Sequence, residues 1–291
     1  MAEKKNDKKA LIMITVSMII YGTIGIFRRY IPLPSAQLAC CRGFVGATFL
    51  LIYVKATGKK FWHHISPKQL IMLVITGAMI GVNWILLFEA YNYTTVATAT
   101  LCYYMQPTLL VIIAAVVFRE KITPFRALSV IIGIIGMVLV SGVVDTGMPE
   151  ASELHGIAYG LGAALLYALV IIMNKKLSDV DTYQETITEL YTAAIVLIPY
   201  LFISGGTIPD NMGVKAIIMI AIVGLVHTGI AYALYFGSMD GLSTQSIGLL
   251  SYIDPVTALI LSAIVLREHM TIYGIIGAVM ILSVTIIGNK E

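Results

Sequence analysis

Ionisable side chains inside apolar stretches are the groups in this chain best placed to do chemistry. Arg42 stands in Cys41-Arg-Gly-Phe44 and Glu189 in Thr186-Ile-Thr-Glu-Leu-Tyr191, each within an otherwise apolar run. An ionised group at the centre of a bilayer costs roughly 2.5–3.5 kcal/mol on insertion scales, so each one needs a reason. Arg42 can hold a carboxylate and Glu189 an amine, a divided site that suits an amino acid. A structural ion pair between the two helices is the plainer alternative. Asp254 precedes Pro255, whose missing N–H frees a carbonyl four residues back. A carboxylate beside such a gap can accept a proton, and His227 in Leu225-Val-His-Thr-Gly229 is the second candidate proton carrier. Hydrogen bonding inside a helix bundle would also account for both. Tyr21, Tyr104, Tyr167, Tyr191 and Tyr252 lie away from the interfaces where membrane tyrosines gather. With Asn83 and Trp84 they are candidate walls of a substrate cavity. Together with Glu189 they could instead cage a quaternary ammonium.

The elements that must hold these groups follow from composition. The 291 residues are 58% hydrophobic and only 12% charged, with a mean hydropathy of +0.90. Soluble domains carry about 25% charged residues. The chain is therefore no disordered segment, nucleic-acid binder or disulfide scaffold. Cys40, Cys41 and Cys102 all fall in apolar stretches and read as small core residues. No H-E-x-x-H, C-x-x-C or Walker loop is present, and His63-His64 stands isolated, so neither a metal nor another cofactor is expected. Without an ATP site, transport would be driven by a gradient.

A membrane-spanning helix needs about 20 mostly apolar residues. Ten stretches qualify: Ala10–Phe27, Pro34–Val54, Leu70–Glu89, Thr95–Phe118, Pro124–Val143, Leu154–Asn174, Thr186–Ile203, Val214–Tyr235, Thr244–Leu266 and Ile272–Ile287. Pro, Gly and charged residues punctuate the breaks, as in Ile31-Pro-Leu-Pro34 and Gly205-Gly-Thr-Ile-Pro-Asp210. With the N-terminus inside, fourteen of the nineteen Lys and Arg residues fall in inside segments and four in outside loops. That bias places both termini in the cytoplasm.

The two halves repeat. Tyr104-Met-Gln-Pro107 and Phe118-Arg-Glu120 return as Tyr252-Ile-Asp-Pro255 and Leu266-Arg-Glu268 at an offset of 148. Gln37 matches Gln184, and Arg42 matches Glu189, at 147. Five helices per copy turn the second copy upside down, which is a recurrent plan of secondary transporters. The expected fold is an all-α integral membrane protein of ten transmembrane helices in two inverted five-helix repeats. Residues 1–9 form a cytoplasmic tail, 10–143 the first repeat, 144–153 an extracytoplasmic linker and 154–291 the second repeat. Gly77-x-x-x-Gly81 and Gly156-x-x-x-Gly160 allow close helix contacts, with dimerisation a secondary use. Glu120 and Glu268 fall where helix N-termini favour anions, so a capping role is expected for them.

The runs Gln106-Pro-Thr-Leu-Leu-Val-Ile-Ile-Ala-Ala-Val-Val-Phe-Arg-Glu120 and Asp254-Pro-Val-Thr-Ala-Leu-Ile-Leu-Ser-Ala-Ile-Val-Leu-Arg-Glu268 resemble the EamA-type branch of the drug/metabolite transporter superfamily. Arg42 in the second span fits that resemblance, which covers essentially the whole chain. Asp254 departs from it, standing where Glu is expected before the second-half Pro, but it keeps the charge. The resemblance implies export or uptake of amino acids and other small metabolites. The expected protein is thus a secondary active transporter of a small polar metabolite, an amino acid or related amine, working by alternating access. An organic cation held in an aromatic cage is the alternative cargo. An integral-membrane enzyme would instead cluster catalytic groups at one interface. The expected partners are the lipid bilayer, a small-molecule substrate and a coupling proton, with no nucleic acid, in a monomer or homodimer. The Ile- and Met-rich composition points to a bacterial inner membrane.

Overall fold

The computed structural model of the chain describes residues 8–58, 62–118, 123–146, 150–174, 177, 179–203, 212–239, 241–242, 246–247 and 250–288. Regular structure among them is entirely helical. The helices are α1 (Lys8–Arg29), α2 (Ser35–Ala56), α3 (Pro67–Tyr93), α4 (Val96–Tyr103), α5 (Gln106–Phe118), α6 (Pro124–Val140) and the short α7 (Val143–Thr146). The second half holds α8 (Ala151–Asn174), α9 (Thr182–Ile203), α10 (Val214–Ile222), α11 (Ala231–Met239), α12 (Ile253–Leu261) and α13 (Ile272–Gly288). Lys4, Lys5, Lys59, Lys60, Arg119, Glu120, Lys121, Lys175, Lys176, Lys290 and the Gly205–Asp210 turn lie outside the described residues.

Local sequence sets the helix starts. Ser66 and Gln69 form a reciprocal capping box with Pro67 in the first turn of α3. Thr95 caps α4 by accepting the Thr98 N–H at 3.0 Å. Among the described residues, seven helices are long and apolar enough to cross a membrane: α1, α2, α3, Val96–Ile113, α8, α9 and Val214–Met239. Ala127–Val140, Ile253–Leu266 and Ile272–Val284 are shorter apolar helices. Many large apolar side chains face outward, Ile131, Ile134, Ile275 and Val279 among them. An outer shell of that kind is tolerable in lipid and not in water. The chain is a multi-pass helical membrane protein.

Three spans are less regular than the hydropathy suggested. The fourth stretch is not one helix but two, interrupted at Tyr104 and Met105 just ahead of Pro107, where the proline ring and its missing N–H break the ladder. A matching turn at Ser251 and Tyr252 precedes Pro255. Between α10 and α11 the chain widens into a π-helical segment, Val223–Ile230, and a second π segment, Ser262–Leu266, follows α12.

Packing joins the two halves throughout. α3 lies on α8 and α9, and α2 lies on α9 and on Val223–Ile230. α1 packs on α11 and α12, while α4 and α5 pack on α8. α6 pairs with α13, and the pair packs on α4 and α5 through Met137, Val140 and Ile281 against Leu101, Cys102 and Met105. A methyl on Gly77 would fall on the backbone of Glu189, so α3 and α9 meet at van der Waals contact only because that residue has no side chain. Gly136 and Gly277 do the same for α6 and α13, each facing the other's carbonyl.

Candidate functional site

A cavity of about 360 Å³ lies at the centre of the body, bounded by α1, α2, α3, α4, α8, α11 and α12. Tyr21, Arg42, Trp84, Tyr104, Tyr167 and Asp254, all expected site residues, line it together. Their elements explain the convergence. Arg42 enters from α2 opposite Trp84 of α3, while the interruption at Tyr104 and the turn before Pro255 bring Tyr104 and Asp254 to a common edge.

Arg42 is buried, at 5% exposure. Its guanidinium lies 4.1 Å from the centroid of Trp84 and 5.5 Å from that of Phe88, positions that give cation–π attraction. Nε donates to Thr228 Oγ1 at 3.1 Å, and no bond from the terminal Nη atoms is found among the described residues. Asp254 Oδ2 accepts from Tyr104 Oη at 2.6 Å. Asp254 lies in the first turn of α12, a helix end that favours a negative charge. Tyr21 Oη is buried and finds no hydrogen-bond partner among the described residues. A polar atom left this way normally has one.

Five expected site residues lie outside that cavity. Asn83 donates from Nδ2 to the Ala163 carbonyl at 2.6 Å, locking α3 to α8. Glu189 is buried and accepts from Asn174 Nδ2 at 2.9 Å. Tyr191 shares a hydrogen bond with Thr48 Oγ1 at 3.0 Å, and Tyr252 is buried at the turn before α12. His227 is buried in the π-helical segment with Nε2 2.7 Å from Thr23 Oγ1. Arg42 and Glu189 form no ion pair. Arg29 Nη2 with Glu268 Oε1, at 3.1 Å, is the ion pair found among the described residues. Glu268 also accepts the Val96 N–H at 2.9 Å and a bond from Ser262 Oγ, so it caps α4.

Sequence reasoning missed Tyr91, Tyr235 and Ser251 as lining residues; Tyr103 and Tyr232, which as tyrosines interior to their spans read as cavity-lining or core, line it as well. Tyr91 and Tyr235 sit near helix ends, where an aromatic residue looks interfacial. The Tyr103 and Tyr167 rings, 5.8 Å apart, and the Tyr21 and Tyr232 rings, 5.7 Å apart, continue the wall.

This architecture has known counterparts. The model of the EamA-like transporter family matches twice, over residues 8–142 and 154–288. An uncharacterized transporter of Bacillus subtilis, YxxF, is 30% identical over 95% of this chain and 88% of its own. Protein RarD of Salmonella typhi is 22% identical over 94% of this chain and 89% of its own. A crystal structure superposes with a TM-score of 0.65 over 95% of this chain and 94% of that one, at 19% identity. The chain belongs to the EamA-like transporter family, and it is a membrane transporter, not an enzyme.

Proposed function

We propose that this protein is a secondary active transporter that moves an amino acid or related amine through the central cavity by alternating access. The carrying observation is that one aromatic chamber holds Arg42, the cation among its lining residues, and Asp254, the acid among them. Arg42 takes the carboxylate, and Asp254, held by Tyr104, takes the amine. The amine is assigned to Asp254 in preference to Glu189 because Asp254 lines the cavity. Tyr21 Oη supplies a further donor or acceptor.

Two inverted five-helix repeats are the frame of this reading. Its support is the exchange of helix pairs: the contact of α3 with α8 has its counterpart in α1 with α11, and that of α4 with α8 in α1 with α12. The family model matching once in each half adds to it. Halves related in this way can rock about a site near the midplane. The charge bias of the loops supports cytoplasmic termini in a bacterial inner membrane. A second reading, an organic cation, is favoured by the tyrosine wall; such a cargo would use Asp254 and the rings and leave Arg42 idle.

Thermal unfolding of the detergent-purified protein against amino acids, quaternary amines and organic anions tests the proposal. A ligand at 100 times its Kd stabilises by about 2.7 kcal/mol. Stabilisation by a zwitterion that disappears in both Arg42→Gln and Asp254→Asn is the expected result. Stabilisation by quaternary amines alone, with Arg42 dispensable, moves the cargo to the second reading, and a response to simple anions only removes Asp254.

A further inference from the structure

The π-helical segment presents two consecutive side chains to two different partners. Thr228 accepts from Arg42 Nε in the cavity wall. His227, one residue earlier, turns to α1 and meets Thr23. His227 is 1% exposed and does not line the cavity.

The hydrogens around this imidazole can be counted. Nδ1 faces the Ile222 carbonyl at 3.4 Å, and Nε2 faces Thr23 Oγ1 at 2.7 Å. Thr23 Oγ1 in turn donates to the Ile20 carbonyl at 2.7 Å. Both ends of this chain are carbonyls, which only accept. Three contacts therefore need three hydrogens. A neutral imidazole and a hydroxyl bring two, whereas an imidazolium and a hydroxyl bring three. The heavy atoms already stand where the charged form would use every contact. The Phe27 ring, with its centroid 4.8 Å from that of the imidazole, adds an aromatic neighbour to a cation.

What opposes the proton is the rest of the surroundings. Burial opposes it first, and Arg42 of α2, of the same sign, opposes it further; α1 brings Tyr21 on the cavity and Arg28, bonded to the Ile31 carbonyl and Ser35 Oγ. α11 contributes the neutral phenols Tyr232 and Tyr235, which face the cavity, and Lys215 of α10 lies away over the Tyr30 ring. A carboxylate bound at Arg42 would cancel the repulsion.

We propose that His227 is the coupling proton site of this transporter, taking a proton on Nε2 through Thr23 when a carboxylate neutralises Arg42. The proton comes from water and leaves by the same hydroxyl, and no bond between heavy atoms forms or breaks. Linkage makes the effect mutual: the proton strengthens anion binding by the factor by which the anion strengthens proton binding. The inference rests on the reading of Arg42 as a carboxylate anchor.

The test uses the full chain carrying Trp62→Phe, so that Trp84 is the reporting indole, with ¹⁵N-labelled histidine and acetate as the probe against chloride at equal ionic strength. His227→Gln identifies the His227 resonances. Acetate should change Trp84 fluorescence saturably, and not in Arg42→Gln. In acetate the His227 midpoint should rise by about one pH unit, a tenfold gain in proton affinity of ordinary allosteric size. Thr23→Val should abolish that rise and Thr23→Ser keep it. A Trp84 response with the His227 midpoint the same in acetate as in chloride overturns the coupling and leaves the anchor standing. No Trp84 response overturns the anchor, and the coupling with it.

Discussion

Arg42 and Glu189 occupy equivalent places in the two halves, yet they live in opposite surroundings. Arg42 stacks on Trp84, ties its Nε to Thr228 and faces the cavity. Glu189 does not line the cavity; its backbone is pressed against Gly77 and its carboxylate is bonded to Asn174. Duplication copies a helix position. It does not copy the neighbours that decide whether a charge there meets a ligand or a helix. In one half the second helix carries a cavity-lining charge, in the other a charge bonded within the bundle, and the two charges on the cavity, Arg42 and Asp254, come one from each half.

The contrast breaks most visibly at Arg42. Arg42→Gln should lower transport by about a hundredfold, the worth of a charge-assisted contact near 3 kcal/mol, with a normal elution profile in detergent. Counterflow in proteoliposomes measures it, and retained transport would end the contrast at once. On the other side, the expected loss is in stability. Asn174→Leu takes from Glu189 its donor and should cost about 1–3 kcal/mol in a thermal melt, with substrate affinity in the folded fraction unchanged. Gly77→Val, which drives a side chain into the backbone at Glu189, should cost a similar ~1–3 kcal/mol. The mildest change is Glu189→Gln, which keeps an oxygen for Asn174 and should hold transport within about fivefold, since neutral and charged partners of one hydrogen bond differ by roughly 1 kcal/mol. A loss there as deep as that of Arg42→Gln would return Glu189 to the binding machinery.

Hydropathy and punctuation made most of the fold legible. Every expected span has a helix within it, because twenty apolar residues in a row admit little else in lipid. The irregular places were legible in unequal measure. Pro107 announces the interruption at Tyr104 and Met105, since proline acts through its own ring. Nothing local announces the π-helical Val223–Ile230, which holds no proline and whose register is settled by contacts with α1 and α2. The site shows the same limit. Type and depth singled out Arg42 and Trp84 for the cargo site and Asp254 as a proton carrier, and all three line the cavity, while Glu189 and Asn83, of the same type and depth, do not. A rotation of one residue is 100° on a helix, and only the neighbouring helices fix it.

The pair of α6 with α13 supplies no lining residue to the cavity, and its contact is closed by Gly136 against Gly277. Cargo choice and this seam are thus written in separate stretches of sequence. Traded between relatives, the two helices should move as a matched set with the face of α4 and α5 on which they pack, whereas a single traded helix would meet a seam cut for another partner.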